Sequence, residues 1–186
     1  MYRSQGTQKK FGIMVILIFA LFTFLSGQDE IKGPVIQEFG ATYDVPDATY
    51  DYDYSRGMKV VFDITSMGNK PTEVSSQINT IARCINMHAH DGVDIASMDI
   101  YAVFHSNGTY TILNDGAYEE RYGTSNPHNK LLDALHQAGV KLYVCGQSLS
   151  ARKVPREDLH PAIEISLSAM TIFMDLQIKG YAMMKM

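Results

Sequence analysis

The sequence VKLYVCGQSLSARK, residues 140–153, places a short apolar strand directly before a helix. Residues 140–145 have the length and the apolar, β-branched and aromatic content of a buried strand, and Gly146 begins a turn into a short helix that reaches about Lys153. A strand that runs into a helix is the repeating unit of α/β domains. This stretch therefore predicts a domain in which strands and helices alternate.

The same alternation extends in both directions from this stretch. Further strands are predicted at residues 59–65, 98–105, 162–167 and 181–185. Helices are predicted at residues 72–90, 115–121, 126–138 and 168–178, with Thr72 as the N-cap of the first. Short strands joined by helices form a mainly parallel sheet with helices on both faces. The sequence therefore predicts a three-layer α/β sandwich around a sheet of about five strands.

The amino terminus resembles a secretion signal. The first ten residues contain three cations and no acidic residue, and residues 11–25 are almost wholly apolar. Ser26 and Gly27 then supply the small side chains that a signal peptidase requires. Because the apolar run is shorter than the ~20 residues of a comfortable membrane span, we predict a cleaved signal peptide at residues 1–27. The mature protein is then secreted or periplasmic, and it contacts a membrane only if the signal is retained.

Composition excludes several classes of protein. The chain has a net charge of −4, and without residues 1–27 it has 13 Lys and Arg against 20 Asp and Glu, a net charge of −7. A nucleic-acid binder needs a basic surface, so no nucleic-acid partner is expected. Two cysteines are too few for a disulfide scaffold or an all-cysteine zinc site. No Gly-rich nucleotide-binding motif is present, and we predict no cofactor.

Residues 28–57 form an acidic, tyrosine-rich segment that contains TYDYDY at residues 49–54. The segment lacks a sustained periodicity and is punctuated by Gly and Pro, so it predicts an irregular arm. We expect its tyrosines to pack on a neighbouring surface while its aspartates stay hydrated. Its aspartates lack the spacing of a calcium-binding loop, and no metal site is predicted. The remaining residues, 58–186, form the α/β domain.

Three polar residues stand near the carboxyl ends of predicted strands: Asp63, His105 and Cys145. In open parallel sheets, ligands and chemistry gather at that edge. Cys145 precedes a helix, so the unpaired N–H groups of that helix would stabilise its thiolate. Cys145 is thus a candidate nucleophile, although free cysteine is also one of the most buried residue types. His105 is a candidate acid, base or hydrogen-bonding partner beside it, and Asp63 completes the candidate site.

We predict no catalytic or metal-binding role for the other cysteine and the other histidines. Cys84 lies on the amphipathic first helix and is expected to be a core residue, although a disulfide with Cys145 stays open if the two Cα atoms come within ~7 Å. His88 and His90 are two positions apart on that helix and point in different directions. The remaining three have no partner at a metal-binding spacing and are expected to be solvated surface residues: His128, His136 and His160.

Several segments resemble the DsrE/DsrF-like family of sulfur-relay proteins, also described as YchN-like, and in particular its exported branch with a signal peptide. The resemblance covers residues 58–186, and LYVCGQSL at residues 142–149 is its most specific motif. The other segments are KVVFDIT (59–65), NMHAHDGV (86–93), YAVFH (101–105), LNDGAY (113–118) and LSAMTIFMDLQIKGYAMM (167–184). The resemblance implies a three-layer, flavodoxin-related sandwich.

The resemblance also implies a function for one residue. In this family the cysteine at the end of this strand accepts sulfur as a persulfide and passes it to a partner thiol, and that position matches Cys145. Relatives form trimers or hexamers, so a homo-oligomer is expected. Asp63 and His105 are inferred from strand ends alone. The alternative is a non-catalytic oligomeric module that binds a small ligand or a protein, with a structural Cys145. The sulfur donor, the sulfur acceptor and the status of the protein as an enzyme stay open.

Overall fold

The computed structural model describes residues 30–186, and the predicted signal peptide lies outside these residues. The strands of the domain are Met58–Ile64 (β1), Met98–Phe104 (β2), Lys141–Cys145 (β3), Glu164–Ser166 (β4) and Ala182–Lys185 (β5). The α-helices are Ser76–His90 (α1), Asp115–Tyr122 (α2), Asn129–Gln137 (α3), Gly146–Arg152 (α4) and Ala169–Ile178 (α5). None of the helices described is both long and apolar enough to cross a membrane.

The five strands form one parallel sheet in the order β4-β3-β2-β1-β5. The predicted α/β sandwich with a parallel sheet is therefore confirmed. The chain adds strands in one direction from β1 to β4 and then returns to place β5 on the free side of β1. This order differs from the 2-1-3-4-5 order of flavodoxin, so the likeness to flavodoxin lies in the layers.

One face of the sheet carries the larger core. Alternate residues of β1 point to this face, including Val60, Phe62 and Ile64, and the matching positions of β2 and β3 do the same. The helix α1 contributes an apolar stripe at three- and four-residue spacing, which includes Ile78 and Ile85. These side chains are at most 5% exposed, so this face is fully covered.

The opposite face is covered more thinly. Val61, Val103 and Cys145 point to this face and pack against Ala169 and Leu176 of α5. Towards the amino ends of the strands the face is polar and aromatic instead. There Tyr101 stacks on Tyr143 at 6.0 Å between ring centroids and meets Tyr181 edge-on at 5.3 Å. Among the described helices, α5 is the one whose side chains pack on this face, and it begins next to Cys145 at the carboxyl end of β3.

The described part of the arm, residues 30–57, is irregular, and only some of its tyrosines pack: Tyr52 and Tyr54 flank the ring of His88. Tyr50 is 85% exposed, and Tyr43 and Tyr52 are also exposed. The backbone of the arm wraps around the Asn86 side chain of α1, which holds the arm in place.

Asn86 is fully buried, and its amide group is saturated by the arm. Its Oδ1 accepts from the N–H groups of Val35 and Ile36 at 3.4 and 2.9 Å. Its Nδ2 donates to the carbonyls of Ile36, Phe39 and Gly40 at 2.9–3.0 Å. The arm approaches so closely that a Cβ atom at Gly33 would lie 1.8 Å from the Asn86 side chain. One polar side chain on a buried helix therefore fixes a loop of the arm.

Two helix starts differ from prediction. Thr72 does not cap α1, which begins at Ser76 because residues 70–73 form a separate turn closed by a hydrogen bond from Glu73 N to Lys70 O. The helix predicted from residue 126 begins at Asn129. Asn126 instead donates its side-chain amide to the carbonyls of Thr111 and Leu113, which holds it in the preceding loop.

Candidate functional site

The three residues singled out at the strand ends, Asp63, His105 and Cys145, line a single cleft of about 280 Å³. The cleft lies on the thinly covered face of the sheet, beneath the amino-terminal end of α5. The strand register explains why they meet. Val144 pairs with Phe104 in the sheet, so the residues that follow them, Cys145 and His105, are at the same level. Alternation along the strands then points all three side chains to the same face.

The Cys145 thiol stands among hydrogen-bond donors. The residue is 6% exposed, and burial by itself opposes ionisation of the thiol. The hydroxyl of Ser148 and the backbone N–H groups of Ala169, Ser148 and Gln147 all act on the sulfur in the opposite sense. These donors outweigh burial, and the pKa of Cys145 is below its ordinary value. The thiol therefore ionises more readily than an ordinary cysteine.

The donors come from the beginnings of two helices. Two backbone N–H groups belong to the first turn of α4, which has only seven residues, and the third is the first N–H of α5. Ser168 caps α5 by accepting from Thr171 N at 3.0 Å, which fixes the position of Ala169. The two helix starts approach each other at Gly146, where a Cβ atom would lie 2.7 Å from the Ser166 carbonyl oxygen. Glycine at this position is therefore required for the close approach.

Asp63 and His105 form a pair beside the thiol. The Nε2 atom of His105 lies 2.6 Å from Oδ1 of Asp63, which is 5% exposed. The other ring nitrogen, Nδ1, lies 3.2 Å from the hydroxyl of Ser106. Both nitrogens of His105 are therefore occupied without Cys145. The structure brings the three residues into one cleft but does not make His105 the base that holds the Cys145 proton.

Ser106 links the histidine to the helix that carries Ser148. Its backbone has a φ of 51°, in the left-handed region that non-glycine residues rarely adopt. In this conformation the Ser106 N–H donates to Oγ of Ser148 at 3.3 Å. Ser148 thus contacts both the thiol and the loop after β2, so it connects the two halves of the site.

The rest of the cleft wall is uncharged and mainly apolar, with Gln147 and Ser168 as its polar residues. Its apolar side chains come from α5 and β5: Ala169, Met170, Phe173 and Met183. The Phe173 ring meets His105 edge-on with the ring centroids 6.1 Å apart. No Lys or Arg lines the cleft. The cleft therefore combines a stabilised thiol, one carboxylate–imidazole pair and an uncharged wall.

Sequence reasoning missed part of this environment. Ser148 lies in the motif that follows Cys145, and its position in the first turn of a helix is the signal that could have identified it as a donor. Ala169 is 24 residues beyond Cys145, and its N–H reaches the sulfur only because β4 lies beside β3. No local sequence pattern predicts that contact.

Cys84 has the structural surroundings that the sequence predicts. It is partly buried against the larger core, and burial raises the pKa of its thiol to about 11. Its Sγ lies 3.7 Å from Nδ1 of His88, whose ring is flanked by Tyr52 and Tyr54 of the arm. Cys84 and Cys145 are both free and lie on opposite faces of the sheet. The sheet separates the two thiols, so the disulfide alternative is not formed.

Two histidines expected at the surface are buried. His128 is 0% exposed, its Nδ1 lies 2.7 Å from Oδ1 of Asn126, and burial lowers its pKa to about 4. His160 is 5% exposed and lies 3.2 Å from Asp133, and burial lowers its pKa as well. The surface prediction is wrong for both, because the Tyr118 ring lies edge-on to His128 with the ring centroids 6.2 Å apart and Asp133 lies against His160. Nε2 of His128 has no hydrogen-bond partner among the described residues. His136 is exposed as expected. Among residues 30–186, no group of three or more His, Cys, Asp or Glu is arranged to hold a metal ion.

Comparisons with known proteins agree with this fold. One solved structure with the same fold is a protein of unknown function, MTH1491, from Methanobacterium thermoautotrophicum; it is 19% identical, with a TM-score of 0.51, over 69% of this chain and 99% of that chain. Another is the ychN protein from E. coli, which is 13% identical, with a TM-score of 0.50, over 69% of this chain and 100% of that chain. At these identities the two structures establish the fold alone. No curated protein matches the sequence.

The family assignment comes from the sequence. The family model of the DsrE/DsrF-like family matches residues 58–186, which is the whole α/β domain and includes all three cleft residues. The same residues form the parallel sheet and its helices. The chain therefore belongs to the DsrE/DsrF-like family.

Proposed function

We propose that the protein is an exported carrier of sulfane sulfur that acts through Cys145. The observation that supports this most directly is the set of donors around the Cys145 sulfur, which lowers its pKa inside a cleft. Sulfur transfer needs a thiolate that attacks a donor and is also a good leaving group when the sulfur departs. Stabilisation of the Cys145 thiolate serves both steps.

The proposed reaction has two steps. The Cys145 thiolate attacks the outer sulfur of a persulfide R–S–SH, the S–S bond of the donor breaks, and the donor leaves as the thiolate R–S⁻. Cys145 then carries the persulfide Cys145–S–SH. A second thiolate R′–S⁻ attacks that outer sulfur, which gives R′–S–SH and restores the Cys145 thiolate. No electrons are lost or gained overall, so no oxidant is required.

Mass spectrometry tests the role of Cys145. After incubation with inorganic polysulfide, wild type should gain about +32 Da, one sulfur atom, on Cys145. Cys84→Ser is the matched control and should gain the same mass, because the pKa of Cys84 is raised rather than lowered. An equal gain on Cys145→Ser would refute the proposal.

A binding module with a structural cysteine is the second candidate. The observation that favours it is the 6% exposure of Cys145, which is typical of a packing residue. The two candidates differ in the rate at which iodoacetamide alkylates Cys145 at graded pH. A thiol pKa at or above the ordinary value supports the binding module, and a depressed one supports the carrier.

Export is part of the proposal and follows from residues 1–27. The expected outcome is a mature protein that has lost these residues and is found in the periplasm or the medium of the native cell. Amino-terminal sequencing of the protein purified from each fraction checks this. A chain that retains its first residues in the cytoplasm would contradict it.

We also propose that the protein is a homo-oligomer, a trimer or hexamer. Apolar side chains of α5 face solvent in the single chain, with Met170 73%, Met174 59% and Ile178 87% exposed. A patch of this kind on a protein in water is typical of an interaction surface. Light scattering should give a multiple of the chain mass for wild type, and Ile178→Glu should reduce it. A monomeric wild type would refute the oligomer.

A further inference from the structure

Resting on the proposed function, we propose that the Cys145 cleft takes sulfur from an organic persulfide with an apolar substituent and discriminates against sulfur oxyanions such as thiosulfate. The lining of the cleft supports this choice in three ways: its charge, its apolar wall and the orientation of its hydrogen-bond donors.

The charge around the sulfur disfavours an anion. The lining residues include the carboxylate of Asp63 and no Lys or Arg. Lys185 is level with Asp63 in the neighbouring strand, but it is solvent-exposed and makes no ion pair with any residue from 30 to 186. An incoming thiosulfate would carry two negative charges towards a thiolate and a carboxylate, and the lining includes no Lys or Arg to offset them. Like charges in a cleft of this kind slow association.

The hydrogen-bond donors around Cys145 are already engaged by its sulfur. The Ser148 hydroxyl and three backbone N–H groups act on the Cys145 sulfur itself. In the ionised cysteine these donors stabilise the thiolate, so they are not free to bind the oxygens of an oxyanion. A sulfonate group would leave water for a lining in which the remaining polar side chains, Gln147 and Ser168, are uncharged, and incomplete replacement of its hydration costs binding free energy.

The apolar wall offers a place for an organic substituent. Met170, Phe173 and Met183 face the cleft, and its volume of about 280 Å³ suits a small group such as an alkyl chain or an aromatic ring. Methionine side chains adapt to the shape of what they contact. The cleft would therefore hold the R group of R–S–SH while the outer sulfur meets Cys145.

The transfer itself balances without further reactants. With benzyl hydropersulfide in its protonated form, the Cys145 thiolate attacks the outer sulfur and the S–S bond of the donor breaks. The products are Cys145–S–SH and the benzyl thiolate, and the negative charge passes from the protein sulfur to the leaving sulfur. With thiosulfate the same attack would release sulfite.

The test compares the two donors in the Cys84→Ser protein, in which Cys145 is the single thiol. The measurement is the rate of the about +32 Da gain on Cys145 with benzyl hydropersulfide, generated in situ, and with thiosulfate. Each rate is divided by the rate of free N-acetylcysteine with the same donor, which removes the intrinsic difference between the donors. The normalised rate should favour the persulfide by about tenfold or more. Added salt should raise the thiosulfate rate more than the persulfide rate, because salt screens the larger repulsion of the doubly charged donor.

A charge-insertion variant checks the cause. Met170→Lys places a cation on the wall of the cleft and should raise the normalised thiosulfate rate by several-fold. Gln177→Lys adds the same charge to an exposed position of α5 that does not line the cleft, and it should have no such effect.

The outcomes separate the two proposals. A normalised preference near one, or a thiosulfate rate that falls with salt, would overturn the choice of donor while the carrier function stands. No gain of mass with either donor would overturn the carrier function and, with it, this inference.

Discussion

Removal of the Ser148 hydroxyl should raise the pKa of Cys145. Of the groups that stabilise the thiolate, this hydroxyl makes the largest contribution. Ser148→Ala deletes it while leaving the backbone N–H groups of α4 and α5 in place. The substitution also removes the acceptor for the Ser106 N–H. The remaining donors keep the site formed, so the change isolates one contribution to thiolate stability.

The magnitude follows from the strength of one hydrogen bond to a charged group. Such a bond contributes about 1.5–3 kcal/mol, and the lower end applies because the cleft opens to solvent. One pKa unit corresponds to about 1.4 kcal/mol, so the pKa of Cys145 should rise by about one unit. At a pH below the pKa, the fraction of Cys145 in the thiolate form then falls about tenfold. A more basic thiolate is about threefold more nucleophilic, so the rate of alkylation at fixed pH should fall by about threefold.

The assay is the pH dependence of iodoacetamide alkylation in the Cys84→Ser background. Ser150→Ala is the matched control, because it removes a hydroxyl from an exposed position of the same short helix. The midpoint of its profile should equal that of the parent protein. If Ser148→Ala also leaves the midpoint unchanged, the hydroxyl does not stabilise the thiolate and the explanation of the lowered pKa is wrong.

Three further predictions concern stability. The pKa of buried His128 is lowered to about 4, so the unfolded chain binds the proton first and the free energy of unfolding should fall by about 3 kcal/mol between about pH 6.5 and pH 4. Urea unfolding at graded pH should show a flatter dependence of this free energy on pH for His128→Gln. An equal dependence in the two proteins would place the proton uptake at another group. Gly146→Ala should destabilise by about 1–3 kcal/mol through overpacking against the Ser166 carbonyl, whereas Gly116→Ala, within α2 and with no neighbour closer than 3.5 Å, should be neutral or stabilising in thermal unfolding. Asn86→Ala should free the arm and cost about 3 kcal/mol, so limited proteolysis should cleave the arm faster than in wild type, and equal cleavage would show that the arm is held by other contacts.

The strands and their order along the chain were predictable because each strand is marked by a local pattern. The β-branched run at residues 59–65 and the apolar run before Cys145 set the strand positions to within one or two residues. Convergence of Asp63, His105 and Cys145 followed from the rule that parallel strand ends share an edge. Both results depend only on residues that are close in sequence or on a general property of parallel sheets.

What could not be predicted depends on contacts between distant residues. His128 is buried because the fold covers its ring, with Tyr118 of α2 edge-on to it, and the sequence around it is that of an ordinary polar loop. The arm is fixed by Asn86, about fifty residues along the chain from the backbone groups that it binds. The Ala169 N–H reaches Cys145 through the pairing of β3 with β4. In each case the deciding partner is specified by tertiary structure and has no local signature.

The placement of Cys84 and Cys145 on opposite faces of the sheet has a consequence for how long a sulfur atom would be stored. A persulfide on Cys145 has no second thiol of the same chain within reach, so it could not discharge itself by forming an internal disulfide. The lifetime of the loaded protein would then be set by encounters with an outside thiol rather than by its own chemistry. The sheet keeps the two sulfur atoms apart, so the acceptor thiol would determine the rate at which sulfur leaves Cys145.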